Sequence, residues 1–330
     1  MTMSNFYNIA RLNDIIIRSL VPLIDSDYIL LDVPNHPNIG DNLIWEGELV
    51  FLDKYVKQKR KYSANVYNID YTKITNEIIL FHGGGNFGDL YPECQTLRLN
   101  VIENYKNNKI IILPQTVFYS DKKQLQKEAK IYNRHNNLTI CVRDKLSYDI
   151  LSEHIVKEKL LLLPDMAFFN DFSMKVVQAK NKVLIMHRTD QEKVDPSYIN
   201  FIINSLPKDY NYLVTDWPTF SNNKYINHIV YLFSLQKIKF SRWLQKSKLF
   251  NHFVSHEYGL NSCNNRTKYI RKGVEFVNEF EYIYTTRLHG MILGILLDKK
   301  VVIVDNNYNK SINFYNTWLK DFSNIEILKQ

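Results

Sequence analysis

Glu77-Ile78-Ile79-Leu80-Phe81 runs directly into His82-Gly83-Gly84-Gly85-Asn86-Phe87-Gly88-Asp89. A short, nearly continuous apolar run is the pattern of a strand buried on both faces, as strands of parallel sheets are. Four of the chain's ten glycines fall between Gly83 and Gly88. A glycine cluster at a strand's end lets the backbone approach a ligand without side-chain interference. The alternative reading is tight packing alone. No Gly-Lys-Ser/Thr follows, so the segment is not a P-loop, and its spacing does not fit G-x-G-x-x-G.

Similar runs recur on both sides of this one. Tyr28–Val33, Asn65–Ile69, Lys109–Leu113, Leu138–Val142 and Lys159–Leu163 read as strands. Asn42–Lys57, Gln95–Tyr105, Lys122–Tyr132 and Lys145–Ser152 read as helices. Regularity lapses from Pro164 to about Asn181, and a second series follows. Its strands are Lys182–Met186, Tyr210–Val214, His252–Ser255, Tyr282–Thr285 and Val301–Val304; its helices are Ser197–Leu206, Lys224–Leu235, Arg266–Phe280 and His289–Leu297. The alternation predicts an α/β protein of two Rossmann-like domains, residues 1–175 and 176–330, facing a cleft. A last helix, Ser311–Lys320, either stays with the second domain or crosses back to the first.

The composition agrees. At roughly 100–200 residues per domain, 330 residues predict two domains. Hydrophobic residues at 45% and charged residues at 23% exclude general disorder. A formal net charge of +8 favours anionic partners. Cys94, Cys141 and Cys263 form no CxxC pair and no zinc spacing, which fits a reducing compartment and predicts no metal site. No apolar run approaches the ~18 residues of a membrane span, and the N-terminus lacks a signal-peptide cleavage pattern, so a cytoplasmic protein is expected.

Ligands of open α/β sheets bind beyond the carboxyl ends of strands, so residues there are candidates. Asp41 and Asn42, in Asn38-Ile39-Gly40-Asp41-Asn42, either cap the following helix or accept hydrogen bonds from sugar hydroxyls. Arg188, at the end of Lys182–Met186, is either an anion clamp or a solvated side chain. In Thr286-Arg287-Leu288-His289-Gly290 a strand turns into an apolar helix. Arg287 and His289 then stand at that helix's N-terminus, where free N–H groups and the macrodipole favour an anion. Arg287 can grip a carboxylate or phosphate with two parallel bonds, and His289 can exchange a proton near neutral pH.

Six motifs, in order, resemble the polysaccharide pyruvyl transferase family: Asn38–Asn42, Phe81–Asp89, Leu113–Thr116, Val142–Asp144, Pro164–Asp165 and Thr286–Gly290. The resemblance implies a fold similar to GT-B glycosyltransferases. It also implies transfer of the carboxyethylidene unit of phosphoenolpyruvate to two sugar hydroxyls, giving a cyclic ketal and phosphate with no cofactor. On that resemblance His289 is the expected catalytic residue, and Arg287, Arg188, Leu288 and Gly290 are the expected donor contacts. Asp41, Asn42, His82, Gly83, Gly84, Gly85, Asn86 and Arg143 are then the acceptor side.

From Trp217 to His256 there are six basic residues and no Asp or Glu. The stretch is either a solvated helix face or a surface for anionic lipid, which would suit a lipid-linked oligosaccharide acceptor on the cytoplasmic leaflet. Nucleic acid is not an expected partner, because no recognised binding module surrounds it. Two other functions compete: a glycosyltransferase of the same architecture using a nucleotide sugar, and a non-catalytic glycan-binding or scaffold protein.

Overall fold

A computed structural model describes residues 3–34, 36–188, 195–218, 264–304 and 310–328. The basic residues of the 217–256 stretch, the expected helix 224–235 and the expected strand 252–255 lie outside these residues.

The first half of the chain forms β1 (Tyr28–Leu31), β2 (Arg60–Ala64), β3 (Ile78–Phe81), β4 (Gly84–Gly88), β5 (Ile110–Phe118), β6 (Leu138–Val142) and β7 (Leu160–Leu162). Its helices are α1 (Met3–Leu20), α2 (Ile39–Tyr55), α3 (Pro92–Asn104), α4 (Lys122–Arg134) and α5 (Lys145–Ser152). All the strand pairings are parallel, in the order β2-β1-β3-β5-β6-β7, with β4 beside the far half of β5. Along β1, Ile29 and Leu31 enter one apolar cluster while Tyr28 and Leu30 enter another. Both faces are therefore covered, which is why the strand sequences lack polar alternation.

The second half forms β8 (Lys182–Met186), α6 (Ser197–Ser205), β9 (Asn211–Thr215), α7 (Asn264–Asn278), β10 (Tyr282–Thr285), α8 (Leu288–Leu296), β11 (Lys300–Ile303), α9 (Lys310–Trp318) and β12 (Ile325–Ile327). Its strands lie parallel in the order β12-β11-β10-β8-β9. This is a mixed α/β chain with two parallel sheets, consistent with a Rossmann-like fold.

Each sheet has one place where the chain reverses its direction of travel across the strands. In the first sheet it lies between β1 and β3, where Leu31 pairs with Phe81. In the second it lies between β8 and β10, where Met186 pairs with Thr285. The loops leaving such a pair part to opposite sides of the sheet and open a crevice. Asp32 and His82 follow the first pair; His187–Arg188 and Thr286–Arg287 follow the second.

The two halves share a core. Ile39 and Leu43 of α2, with Ala167 and Phe168, lie in one apolar cluster with Met291, Ile292 and Leu293 of α8. α1 bridges them too: Leu12 belongs to that cluster and Ile16 and Leu20 to the core of the first sheet. The Arg11–Asp321 ion pair at 2.8 Å anchors α1 near the other end of the chain. α9 is also bonded to the first half, through Trp318 Nε1 to the Arg143 carbonyl (2.8 Å) and the Lys145 N–H to Thr317 Oγ1 (3.2 Å).

Two sequence expectations need correction. The strand expected at Asn65–Ile69 is Arg60–Ala64 instead, because Asn65 Oδ1 accepts the Tyr67 N–H (2.9 Å) and turns the chain. α2 begins at Ile39, with Asn38 rather than Asp41 or Asn42 as its cap: Asn38 Oδ1 accepts the Gly40 N–H at 2.9 Å. The glycine cluster after β3 holds a further short strand, β4, that the strand runs read from the sequence did not include.

Candidate active site

Both crevices open into one cavity of about 630 Å³, within the usual range for a small-molecule site. Its second-half wall carries Arg188, Trp217, Arg287, Leu288, His289 and Lys310.

Arg287 is the N-cap residue of α8, and its own N–H is held by Thr285 Oγ1 at 2.9 Å. Its guanidinium forks onto Asp216, through Nε to Oδ1 and through Nη2 to Oδ2 at 2.6 Å. His289, one residue into the helix, reaches a buried polar chain. Its Nε2 lies 3.3 Å from Asp165 Oδ2 and 3.5 Å from Arg143 Nη1. Arg143 Nη1 donates to Asp165 Oδ2 (2.6 Å) and Arg143 Nε to Thr116 Oγ1 (2.9 Å); Thr116 Oγ1 in turn donates to Asp144 Oδ2 (2.9 Å). Burial alone would raise the pKa of the Asp165 carboxyl. The Arg143 guanidinium and then His289 outweigh burial and hold it well below the usual carboxylate range. The imidazole is thus oriented by a fixed negative charge.

The first-half wall is polar in a different way. Asp32 follows β1 in the left-handed region, at φ 64°. It accepts from Asn86 Nδ2 at 2.8 Å, and Arg98 Nη2 lies 3.9 Å away. Burial raises the Asp32 carboxyl's pKa, and the Arg98 charge offsets this only in part. His82 is anchored by Glu48 of α2, with Nδ1 2.8 Å from Oε2. The other oxygen of Glu48 accepts the Gly83 N–H at 2.7 Å.

Of the residues singled out in the sequence, Asp41, His82, Gly83, Gly85, Asn86, Arg143, Arg188, Arg287, Leu288 and His289 all line this cavity. Asn42, Gly84 and Gly290 do not. Asn42 is buried and donates to the carbonyls of His36 (3.0 Å) and Asn38 (2.7 Å), bracing the loop instead of facing a ligand. Gly84 has a φ of 122°, which a side chain would strain. Gly290 is a packing position: a Cβ there would stand 2.6 Å from Met186 Sδ. Arg143, expected on the acceptor side, lines the cavity beside Asp165 and His289. The glycine cluster also differs from expectation, because several of its N–H groups are already taken. Glu48 holds Gly83, Gln115 holds Asn86 (3.2 Å) and Gln95 holds Gly88 (3.2 Å).

The family model described as polysaccharide pyruvyl transferase matches residues 38–308 of this chain. The chain belongs to that family. It is 29% identical over 307 residues to EpsO of Bacillus subtilis (strain 168), which carries a provisional pyruvyl transferase name; the match covers 92% of this chain and 89% of EpsO. It is 28% identical over 308 residues to Pyruvyl transferase 1 of Schizosaccharomyces pombe, covering 88% and 69% of the two chains. A solved structure of a functionally uncharacterized protein from Klebsiella pneumoniae subsp. pneumoniae shares the fold, with a TM-score of 0.54 at 18% identity and full coverage of both chains. The protein is therefore a transferase, and nothing in these likenesses supports the nucleotide-sugar glycosyltransferase reading.

Sequence reasoning gave no role to four residues that organise this transferase's cavity. Asp165 stood in a quoted motif, Pro164-Asp165, without a function. Asp216 lies just past the end of β9, where the strand-end rule that found Arg188 would have reached it. Asp32 sits at the matching place after β1. Glu48 lies inside α2 and gave no local signal. Among the described residues, no group of three or more His, Cys, Asp or Glu side chains is placed to hold a metal ion, and no helix is long and apolar enough to cross a membrane.

Proposed function

We propose that the protein transfers the carboxyethylidene unit of phosphoenolpyruvate to two hydroxyls of a sugar in a surface-polysaccharide precursor, forming a pyruvate ketal and releasing phosphate. The observation that carries this reading is the gathering of Arg287, Arg188, Lys310 and His289 at one side of the cavity, with Arg143 beside them. Phosphoenolpyruvate carries a carboxylate and a phosphate on three carbons, and guanidinium groups beside a helix N-terminus complement such a charge pattern.

The chemistry requires a proton at the methylene carbon, so that C2 becomes electrophilic. His289, oriented by Asp165, is the group suited to deliver it. Fixed positive charges then stabilise the departing phosphate. In this reading the sheets belong to two Rossmann-like domains, 1–175 and 176–330, facing across the cavity in the GT-B manner. The first-half wall, with Asp41, His82 and Asn86, takes the sugar. Phosphoenolpyruvate is an intracellular metabolite, which supports a cytoplasmic reaction. The basic stretch 217–256 supports an acceptor that is lipid-linked and reached at an anionic membrane surface.

Deleting the gene in its source organism tests the proposal. Acid-releasable pyruvate should disappear from the surface polysaccharide and return with the wild-type gene but not with His289→Ala. Unchanged pyruvate in the deletion strain would overturn the reading. Phosphoenolpyruvate, and not a nucleotide sugar, should raise the melting temperature of the purified protein.

A further inference from the structure

Among the described residues three histidines line the cavity: His36, exposed and 3.6 Å from Asp41 Oδ2, and two that are held by buried carboxylates, of which His289 is one. The other, His82, leaves the end of β3 on the opposite side of the sheet crevice, and three contacts fix it. Its N–H donates to the Leu31 carbonyl (2.9 Å), its carbonyl accepts from Gln115 Nε2 (2.8 Å), and its Nδ1 lies 2.8 Å from Glu48 Oε2. Glu48 is fully buried and held in turn by the Gly83 N–H. With Nδ1 committed, Nε2 is the ring atom left to the cavity, and among the described residues it takes no hydrogen bond. A buried Glu–His pair at the carboxyl end of a central strand is an arrangement that fixes an imidazole tautomer for proton transfer.

We infer that His82 is the base that takes the proton from the attacking sugar hydroxyl, working opposite His289. The inference rests on the pyruvyl-transfer reading above. In the first step the hydroxyl O–H bond breaks, its oxygen bonds to C2 of phosphoenolpyruvate, and the proton passes to His82 Nε2. The C2–C3 π pair takes a proton at C3 from His289. After His82 returns its proton to solvent, the second hydroxyl repeats the transfer. Its oxygen bonds to C2 as the C2–O bond to phosphate breaks, and the phosphate leaves with that electron pair.

The surroundings agree with the role. Burial disfavours the charged imidazole, but Glu48 outweighs it, aided by Asp41 of α2 and by Asp32 after β1, so the pKa of His82 is raised. A carboxylate that stabilises the imidazolium strengthens the base it orients.

The test uses the purified full-length protein, radiolabelled phosphoenolpyruvate and an extract of the deletion strain as the source of native acceptor. His82→Gln should lower label incorporation by roughly 10²–10⁴-fold, while phosphoenolpyruvate still stabilises the protein as it does the wild type. A loss below tenfold overturns the inference. The acidic limb of the wild-type rate profile should lie above the ordinary histidine value of roughly 6.5 and move to lower pH in Glu48→Gln. A limb that Glu48→Gln leaves in place also overturns it. Nitrogen-15 NMR of the wild-type protein, which needs no variant to fold, should show His82 as the Nδ1–H tautomer at about pH 9, well above its ordinary pKa; the Nε2–H tautomer would overturn the assignment. Failure of the pyruvyl-transfer reading looks different, because the wild-type protein itself would then incorporate no label.

Discussion

Gly40 and His289 meet where α2 and α8 begin: a Cβ on Gly40 would stand 2.7 Å from His289 Nδ1 and 3.0 Å from its Cβ. The glycine of the Asn38–Asn42 loop is therefore the seat of the imidazole, and its backbone needs no positive φ. Gly40→Ala should leave the fold intact, since alanine suits a helix's first turn better than glycine. The added methyl group must push the whole His289 side chain from Asp165. A displacement of about 1 Å at a reacting group is worth ~10²-fold in rate. We expect kcat to fall by about that factor with a melting temperature lowered only modestly, since the displaced side chain costs about 1–3 kcal/mol of packing at most, measured as label incorporation and by thermal unfolding. A variant of wild-type kcat would show that His289 need not sit where it does.

The Arg143–Asp165 pair is nearly inaccessible on both sides, at 3% and 1% side-chain exposure. Removing one partner of such a pair strands the other charge, at a cost of roughly 3–5 kcal/mol. Asp165→Asn should lose about that much in urea unfolding at neutral pH. The depressed Asp165 pKa also sets a direction with pH. Its contribution is complete above the unfolded value of roughly 3.9 and disappears as pH falls toward the folded value. The gap between wild type and Asp165→Asn should therefore be constant from neutrality to about pH 5 and narrow only in strong acid. A gap that changed between pH 6 and 8 would show that the Asp165 carboxylate is not its source.

How much of this was legible in the sequence follows from the range of each interaction. Strand ends are local features, and four cavity residues found by that rule, His82, Arg188, Arg287 and His289, need nothing beyond the apolar run before them. Their partners are not local. Glu48 meets His82 across 34 residues and Asp165 meets His289 across 124, so packing alone brings them together. The glycine cluster was half legible. Its position at a strand end is local, whereas the contact that makes Gly88 necessary, a Cβ 1.8 Å from the Phe118 carbonyl oxygen, depends on β4 lying against β5. α1 shows the reverse: Leu12, Ile16 and Leu20 recur every four residues and are fully buried. That period was readable, but the two cores it joins were not.

Gly47 carries a second prediction of that non-local kind. It lies inside α2, where the turn Met166–Phe169 crosses so closely that a Cβ would stand 1.9 Å from the Met166 carbonyl oxygen. Backbone meets backbone there, so no side chain can swing aside. Overpacking a well-filled core costs typically 1–3 kcal/mol and at times more. Gly47→Ala should fall at or above the top of that range in denaturant unfolding, despite the better helix propensity of alanine. A neutral result would mean that α2 can slide over the turn, and Asp165, which caps it, would then shift as well.

Arg287 is the last and most direct test of the proposed donor site. Its fork already engages Asp216 through two nitrogens, so its plane is fixed before any anion arrives. Lysine at this position keeps the charge but offers a point donor in place of two parallel ones. Each charge-assisted bond is worth roughly 1.5–3 kcal/mol, and about 1.4 kcal/mol is a tenfold change in affinity. Arg287→Lys should therefore weaken phosphoenolpyruvate binding at least about tenfold in calorimetry, and because the fork to Asp216 goes with the guanidinium, it should also lower the melting temperature of the free protein. The same Kd as the wild type would mean that the donor's carboxylate and phosphate are both held elsewhere, by Arg188, Arg143 or Lys310, and that the helix N-terminus serves His289 alone.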